Sequence, residues 1–344
     1  MHAPSPHAAP LLRSFYERIV TEDFTRANPL ALDGIYNTWL AIEAAGATPA
    51  GRAAIEEGLG ICKGQIGTMD DVYGVEGWLQ NAIGFAAMAD YPYPANFLGA
   101  MPAFPCSVMA QAYAKANGTL AELLSYAREG IATVFYNYTG EAGPCFNLTQ
   151  SDSPAGLQGD GWGVQCCHEV VQPIGSYGPP NDFFLPSPFN ESAFIEGCQL
   201  AYNGTTPRPT CASSIDTNLA HRIPPANSLI RFPPKRPRPH DLCHAAPTTG
   251  TAVNYGAWNL DGVSNLFLSN GEFDPWRSGG ITRNVSGTSD VISLTIAEAA
   301  HHLDLRASNA ADPDSVLQAR EMETEAMRRW VNQFWARRGI ERRV

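Results

Sequence analysis

The sequence predicts an α/β fold that joins a helical first part to the closing strands of a parallel sheet. Three observations carry this. Apolar residues at helical spacing dominate up to about residue 136, and from about 137 the pattern turns mixed, with glycine and proline loops. Two apolar, β-rich runs then appear late in the chain, at 264–269 and 291–296. Each leads into a loop bearing a residue type that catalysis uses: Asp274 after the first, His301 and His302 after the second.

Taken in order, the opening M-H-A-P-S-P-H-A-A-P-L-L-R-S-F-Y lacks a basic stretch followed by a continuous apolar core, so it does not read as a signal peptide. Leu32–Ala45 and Met69–Ala89 carry apolar residues at helical spacing, and Thr119-x-x-Glu122 is a capping box that starts a helix over Leu120–Phe135. A further helix is expected from about Trp162 to the run Val170-Val171-Gln172-Pro173. The segment 204–256 is rich in proline and longer than an ordinary loop, which marks a surface insertion. After the two strands, a last helix is expected to start at Asp312 with Pro313 at its first position, running through Met322, Ala326 and Trp330 to Phe334. No internal repeat is present.

An acid followed by a histidine, each after a strand, is the order in which an α/β-hydrolase ends: serine, then Asp or Glu, then His. A serine hydroxyl attacks an acyl carbon when a histidine takes its proton, and a carboxylate must fix that histidine's tautomer and stabilise the imidazolium. Asp274 and His301 fit the last two roles. The serine is harder to place, because its G-x-S-x-G turn should join a strand to a helix. The near match Gly175-Ser176-Tyr177-Gly178 is followed by Pro179-Pro180 where a helix should begin, and no apolar strand precedes it. Ser176 is therefore read as a loop residue and not as the nucleophile.

Five stretches together resemble one family. They are S-N-G-E-F-D-P-W (269–276), A-H-H-L-D-L-R (300–306), D-P-D-S-V-L-Q-A-R (312–320), D-Y-P-Y-P-A-N-F-L (90–98) and W-G-V-Q-C-C-H-E-V-V (162–171). Together, over about Phe15 to Trp335, they make the chain resemble the prolyl carboxypeptidase and dipeptidyl peptidase II family of serine peptidases. The resemblance implies an α/β-hydrolase with a helical cap, acting on small peptides after proline. It divides the chain into a helical cap domain over 1–136 and the C-terminal part of the hydrolase domain over 137–344. The family's G-G-S-Y-G-G elbow would fall shortly before the point where this sequence starts, so a product lacking the nucleophile half is expected. Such a half sheet, expressed alone, is expected to aggregate.

Carried over residue by residue, the resemblance makes Asp274 the triad acid and His301 the triad histidine. His302, Asp304 and Arg306 become a polar network that steadies the histidine loop. Trp276 would wall the proline pocket, although a plain core tryptophan fits the sequence almost as well. Arg277 stands where small residues are usual in the family, so the pocket rim is expected to differ. The resemblance also pairs Cys62 with Cys145 and Cys167 with Cys198. Glu169 could meet a substrate ammonium or equally a helix salt-bridge partner.

Cysteine usage is even: eight residues, at 62, 106, 145, 166, 167, 198, 211 and 243, without C-x-x-C hooks. This favours disulfides in an oxidising compartment. Cys211 with Cys243 could close the insertion, leaving Cys106 and Cys166 to pair with each other. Six N-x-S/T sequons, at Asn117, Asn137, Asn147, Asn190, Asn203 and Asn284, exceed the roughly two or three that chance supplies and point the same way. A secreted, lysosomal or vacuolar location is expected.

The net charge of −11 argues against nucleic acid as a partner, and no run is long and apolar enough to span a membrane. The basic stretch 231–240 is proline-rich and reads as a solvated loop. His240-Asp241-Leu242-Cys243-His244 could bind a metal, but no second ligand pair is evident, and the chemistry needs neither metal nor organic cofactor. Short peptides are the expected partners, with a homodimer left open. Two rival readings stand: a non-catalytic secreted binding protein built on the same fold, and a general esterase without preference for proline.

Overall fold

In the computed structural model the described residues are 15–96, 100–140, 143–148, 160–168, 171–202, 260, 262–282 and 290–339. The chain divides into a larger compact unit (14–154, 175–188 and 261–344) and a smaller one (1–13, 155–174 and 189–260).

Helices open the larger unit. α1 (Phe15–Ala27) turns Ile19, Val20 and Phe24 inward, and α2 (Leu30–Gly46) buries Ala31, Ile35, Trp39 and Ile42, which fall on one face at helical spacing. α3 (Pro49–Leu59) starts where the Thr48 side chain accepts the Gly51 N–H, with proline in the first turn. It ends at Gly60, whose φ of +72° closes the helix in a conformation glycine adopts without strain. α4 (Met69–Met88) opens with a Thr68–Asp71 capping box. α5 (Pro105–Gln111) follows, and then α6 (Leu120–Tyr126) with the expected Thr119–Glu122 box.

The helix predicted over 120–135 contains one wide turn that its sequence does not announce. α6 passes through a π-helical turn (Ala127–Ala132) before α7 (Thr133–Tyr136). Gly130 lies in that turn, where a Cβ would press on the Ala112 side chain and the Met109 carbonyl, so the absent side chain lets α5 approach closely. At the centre of this helical core, Trp39 is fully buried and its indole N–H donates to the Phe183 carbonyl at 2.8 Å. Phe183 and Phe184 fill the same core.

Cys62 is bonded to Cys145, as the resemblance implied, and fastens the loop after α3 to the segment at 143–148. Two backbone bonds lie beside it, Cys62 N–H to Phe146 O and Phe146 N–H to Gly60 O, each 2.9 Å. Replacing both cysteines by serine is expected to cost about 2–5 kcal/mol, read as a lower denaturant midpoint. An unmoved midpoint would assign the closure to the backbone bonds. The proposed pairing of Cys106 with Cys166 is corrected: both are free thiols. Cys106 is sealed in the helical core, where its N–H and thiol face the Asp90 carboxylate, and burial pushes the thiol pKa well up.

Among the described residues the sheet comprises β1 (Leu266–Gly271) and β2 (Val291–Ile296), parallel, with Leu266 opposite Val291 and Gly271 opposite Ile296. β1 begins two residues later than predicted because Asn265 takes a φ of +57°, which breaks the extended run. The last helix, α10 (Asp314–Ala336), packs on β2. Pro313 precedes it as the cap, with ψ at 151°, and accepts the first helical N–H groups from Val316 and Leu317. A second core joins Tyr91 and Met101 to Phe273, Ile296, Leu303 and Val316. It packs the D-Y-P-Y-P segment against both loops that carry the candidate residues.

In the smaller unit, α8 (Asp160–His168) is tied to α9 (Glu191–Ala201) by Cys167–Cys198, the second pairing the resemblance implied. Residues 171–174 are not helical, as Pro173 requires of its neighbours. Glu169, Cys211, Cys243, the 240–244 cluster and the whole insertion 204–256 lie outside the described residues. No described helix is long and apolar enough to cross a membrane.

Candidate active site

Both candidate residues sit just beyond the C-terminal ends of the parallel strands, where open α/β sheets place their reactive groups. Asp274 ends the tight turn that follows β1, with its N–H bonded to Gly271 O. It also caps the 3₁₀ turn Pro275–Gly279: Oδ1 accepts the Trp276 N–H at 2.9 Å. That bond aims Oδ2 outward, and Oδ2 lies 3.0 Å from Nδ1 of His301. A carboxylate can only accept, so Nδ1 carries the proton and Nε2 presents its lone pair, the tautomer a general base needs. Asp274 is buried and His301 is only partly covered.

The histidine loop is bound to the acid strand and to the helical core at once. Glu272 N–H donates to Ile296 O and Phe273 N–H to Ala299 O, each at 2.8 Å. The backbone of His301 is held on both sides: its N–H donates to Met88 O at 3.1 Å, and its carbonyl accepts from the Tyr91 hydroxyl at 2.7 Å. Gly271 is where the two loops touch, since any Cβ there would fall inside contact distance of the Ala299 and Ala300 carbonyl oxygens. Gly271→Ala should therefore push His301 off the Asp274 carboxylate. Loss of the downfield Nδ1 proton resonance would report it, and an unchanged resonance would mean that the loop yields without losing register.

Around the pair, the His302 ring packs against that of His301 with centroids 3.7 Å apart, and its backbone takes a φ of +56°. Burial, and then the neighbouring His301, hold the His302 pKa below the ordinary imidazole value, so this ring stays neutral more readily. The Arg306 guanidinium lies over the Tyr91 ring at 4.4 Å and farther over Tyr93 at 6.0 Å. Asp304 points elsewhere and accepts the Ser269 hydroxyl at 2.6 Å. The expected polar network is thus two arrangements: His302 against the imidazole, and Asp304 below the loop against β1. Trp276 meets the edge of Tyr16 at a centroid distance of 5.1 Å, and its indole N–H faces the Met88 sulfur at 2.8 Å.

Ser176 is occupied by its own loop. Its hydroxyl donates to Leu185 O at 2.5 Å and its backbone pairs both ways with Ser187. The fully buried Asp182 carboxylate accepts the N–H groups of Tyr177, Gly178 and Phe184, which fixes the Gly-Ser-Tyr-Gly stretch as a clasped turn. Among the described hydrogen bonds, no serine hydroxyl meets the His301 ring. Sequence reasoning missed Met88, Tyr91 and Gly271 as supports of the histidine. Tyr91 stood inside a quoted motif, but a tyrosine that serves a backbone carbonyl leaves no periodic signal.

Residues 7–220 and 244–323 match the profile of the serine carboxypeptidase S28 family. Among curated proteins, the lysosomal Pro-X carboxypeptidase of Homo sapiens is 31% identical over 320 residues, covering 93% of this chain and 55% of the relative. That of Bos taurus is 30% identical over 322 residues, with 94% and 55% covered. The prolyl carboxy peptidase like protein 5 of Caenorhabditis elegans is 29% identical over 323 residues, with 92% and 57% covered. The chain spans about half the length of these relatives.

Proposed function

Since the chain belongs to the serine carboxypeptidase S28 family, we propose that it supplies the acid and the base of a serine exopeptidase that removes the residue following a proline. The observation that carries this reading is the 3.0 Å approach of Asp274 Oδ2 to His301 Nδ1, with the other carboxylate oxygen already committed to Trp276 N–H. In this reaction His301 Nε2 takes the proton of a serine hydroxyl as that oxygen bonds to the carbonyl carbon after proline. It then returns the proton to the departing amine, and Asp274 stabilises the imidazolium between the two steps. Water attacks the acyl-enzyme by the same route in reverse.

The nucleophile and its oxyanion donors lie, on this reading, outside the described residues. Residues 1–136 act as the helical cap, admitting only short peptides or chain ends, and 137–344 as the C-terminal part of the hydrolase domain. Trp276 offers a flat apolar face to the pyrrolidine ring. The relatives are carboxypeptidases by name, which favours cleavage at the carboxyl end over dipeptide release, and the disulfides and sequons favour the secretory or lysosomal route.

The test is to isolate the protein from cells that make it, treat it with a fluorophosphonate probe, and assay an N-blocked peptide ending in Pro-Phe. Covalent labelling of one serine, with release of free Phe that His301→Ala abolishes, is the expected result. A protein that binds such peptides without labelling or release would instead be a binder built on this fold. Turnover of simple esters without preference for proline would make it a general esterase.

A further inference from the structure

His302 is a strained residue of the histidine loop. Its φ of +56° and ψ of 25° lie in the left-handed region, which a residue with a Cβ keeps only where its surroundings fix it. The hydrogen bonds of the turn itself run on the long side: Leu303 N–H to Ala300 O at 3.2 Å, Leu305 N–H to His302 O at 3.1 Å and Arg306 N–H to Leu303 O at 3.4 Å. The first of them closes directly around His301 and His302, so the placement of the Leu303 peptide decides the direction in which both rings leave the chain.

A further restraint comes from α10. Arg320 Nε donates to Asp304 O at 2.8 Å, Nη2 donates to Leu303 O at 2.9 Å and to Arg306 O at 3.1 Å, and Nη1 donates to Asp312 Oδ2 at 2.7 Å. One side chain thus engages three of the four carbonyls from Leu303 to Arg306. The Asp312 side chain is fully buried and its Oδ2 also accepts the Asn309 N–H at 2.9 Å, so the carboxylate fixes the plane of the guanidinium. Leu303 is fully buried in the core that also holds Val316 and Ala319 of α10. Apolar packing of that kind is not directional and sets only the depth of the turn. The fork sets its orientation.

We propose that Arg320 is a positioning residue for the base: by holding the carbonyls of Leu303, Asp304 and Arg306 it keeps the backbone of His302 left-handed, and so keeps the His301 imidazole against the Asp274 carboxylate. Asp312 acts one step farther back, by orienting the fork. The inference rests on the reading of His301 as the base.

The protein isolated from cells that make it is compared with its variants by hydrogen exchange of the peptide covering 299–308 and by the downfield Nδ1 proton resonance of His301. Arg320→Lys keeps the charge and cannot present four N–H groups in one plane. It should lose the resonance and about tenfold of the protection over 299–308, while exchange of α2 and α4 stays as in wild type. In turnover, kcat should fall by about a hundredfold with KM little changed. His302→Gly removes the strain, because glycine takes a positive φ without steric cost. In that background Arg320→Lys should lower protection by less than about threefold, and the loss of the His302 ring, common to both members of the pair, cancels. Asp312→Asn keeps the shape and one acceptor, should give a partial loss of the resonance, and carries the test where Arg320→Lys does not fold. The proposal is overturned if resonance and protection survive Arg320→Lys or, where that variant does not fold, Asp312→Asn. It is overturned equally if both variants lose protection in α2 and α4 along with the loop, or if Arg320→Lys has the same effect with and without His302→Gly. Resonance and exchange are read without substrate, whereas failure of the peptidase reading shows as absent serine labelling and absent release of Phe, so the two failures are distinguishable.

Discussion

On the proposed peptidase reading, Asp274→Asn is expected to lower kcat about ten-thousandfold while KM changes little. The reason is directional. Oδ1 is engaged by Trp276 N–H, so the group facing His301 in the variant would be the amide nitrogen, a donor. A donor there demands a lone pair on Nδ1, which moves the ring proton to Nε2 and leaves nothing to receive the serine proton. His301→Ala should cost at least as much, and the double variant should fall little below it, because the two act as one unit. Losses that multiplied in the double variant would show instead that Asp274 and His301 act separately.

Thermal stability should be greatest in mildly acidic solution and fall on the way to pH 8. Burial raises the pKa of several carboxyls of the larger unit: Asp90 to about 6, Glu76 to about 7, Glu17 to about 8, and Asp23, which also feels Asp90, well above its ordinary value. Asp23 Oδ2 and Glu76 Oε1 have no hydrogen-bond donor. For each of these the protonated form suits the fold, so the stabilisation is complete below about pH 4 and is lost as pH rises through about 6 to 8. On the other side, Glu122, held at about 2 by Lys115 and Thr119, and Asp71, lowered by Thr68, lose their contribution only at much lower pH, and both are exposed. The expected melting curve drops by about 10 °C between pH 5 and 8. A midpoint that held steady or rose over that interval would mean that the buried carboxyls find cations in solution.

What the sequence disclosed follows from how local each signal is. The Thr119–Glu122 box, the strand at 291–296 and the order of acid before histidine are encoded in neighbouring residues, and the structure displays each of them. The π-helical turn at Ala127–Ala132 was not legible, because one extra residue in a turn leaves the apolar spacing of a single short helix almost unchanged. The pairing of Cys106 with Cys166 failed for a different reason. An even count of cysteines says nothing about depth, and Cys106 lies in a core where its partner is a carboxylate. Arg320 stood within a quoted motif, yet beside Asp312 its partners are three carbonyl oxygens that any residues would supply, so its contacts emerge only in three dimensions.

The peptide groups on either side of His301 are fastened to Met88 and Tyr91, at the end of a helix and the start of the loop after it. On the proposed reading, the cap that admits peptides and the loop that carries the base thus share a hinge pin. Exchanging the helical segment with that of a relative would, wherever it altered 88–91, also shift the backbone of His301, so on that reading access and rate are one engineering problem.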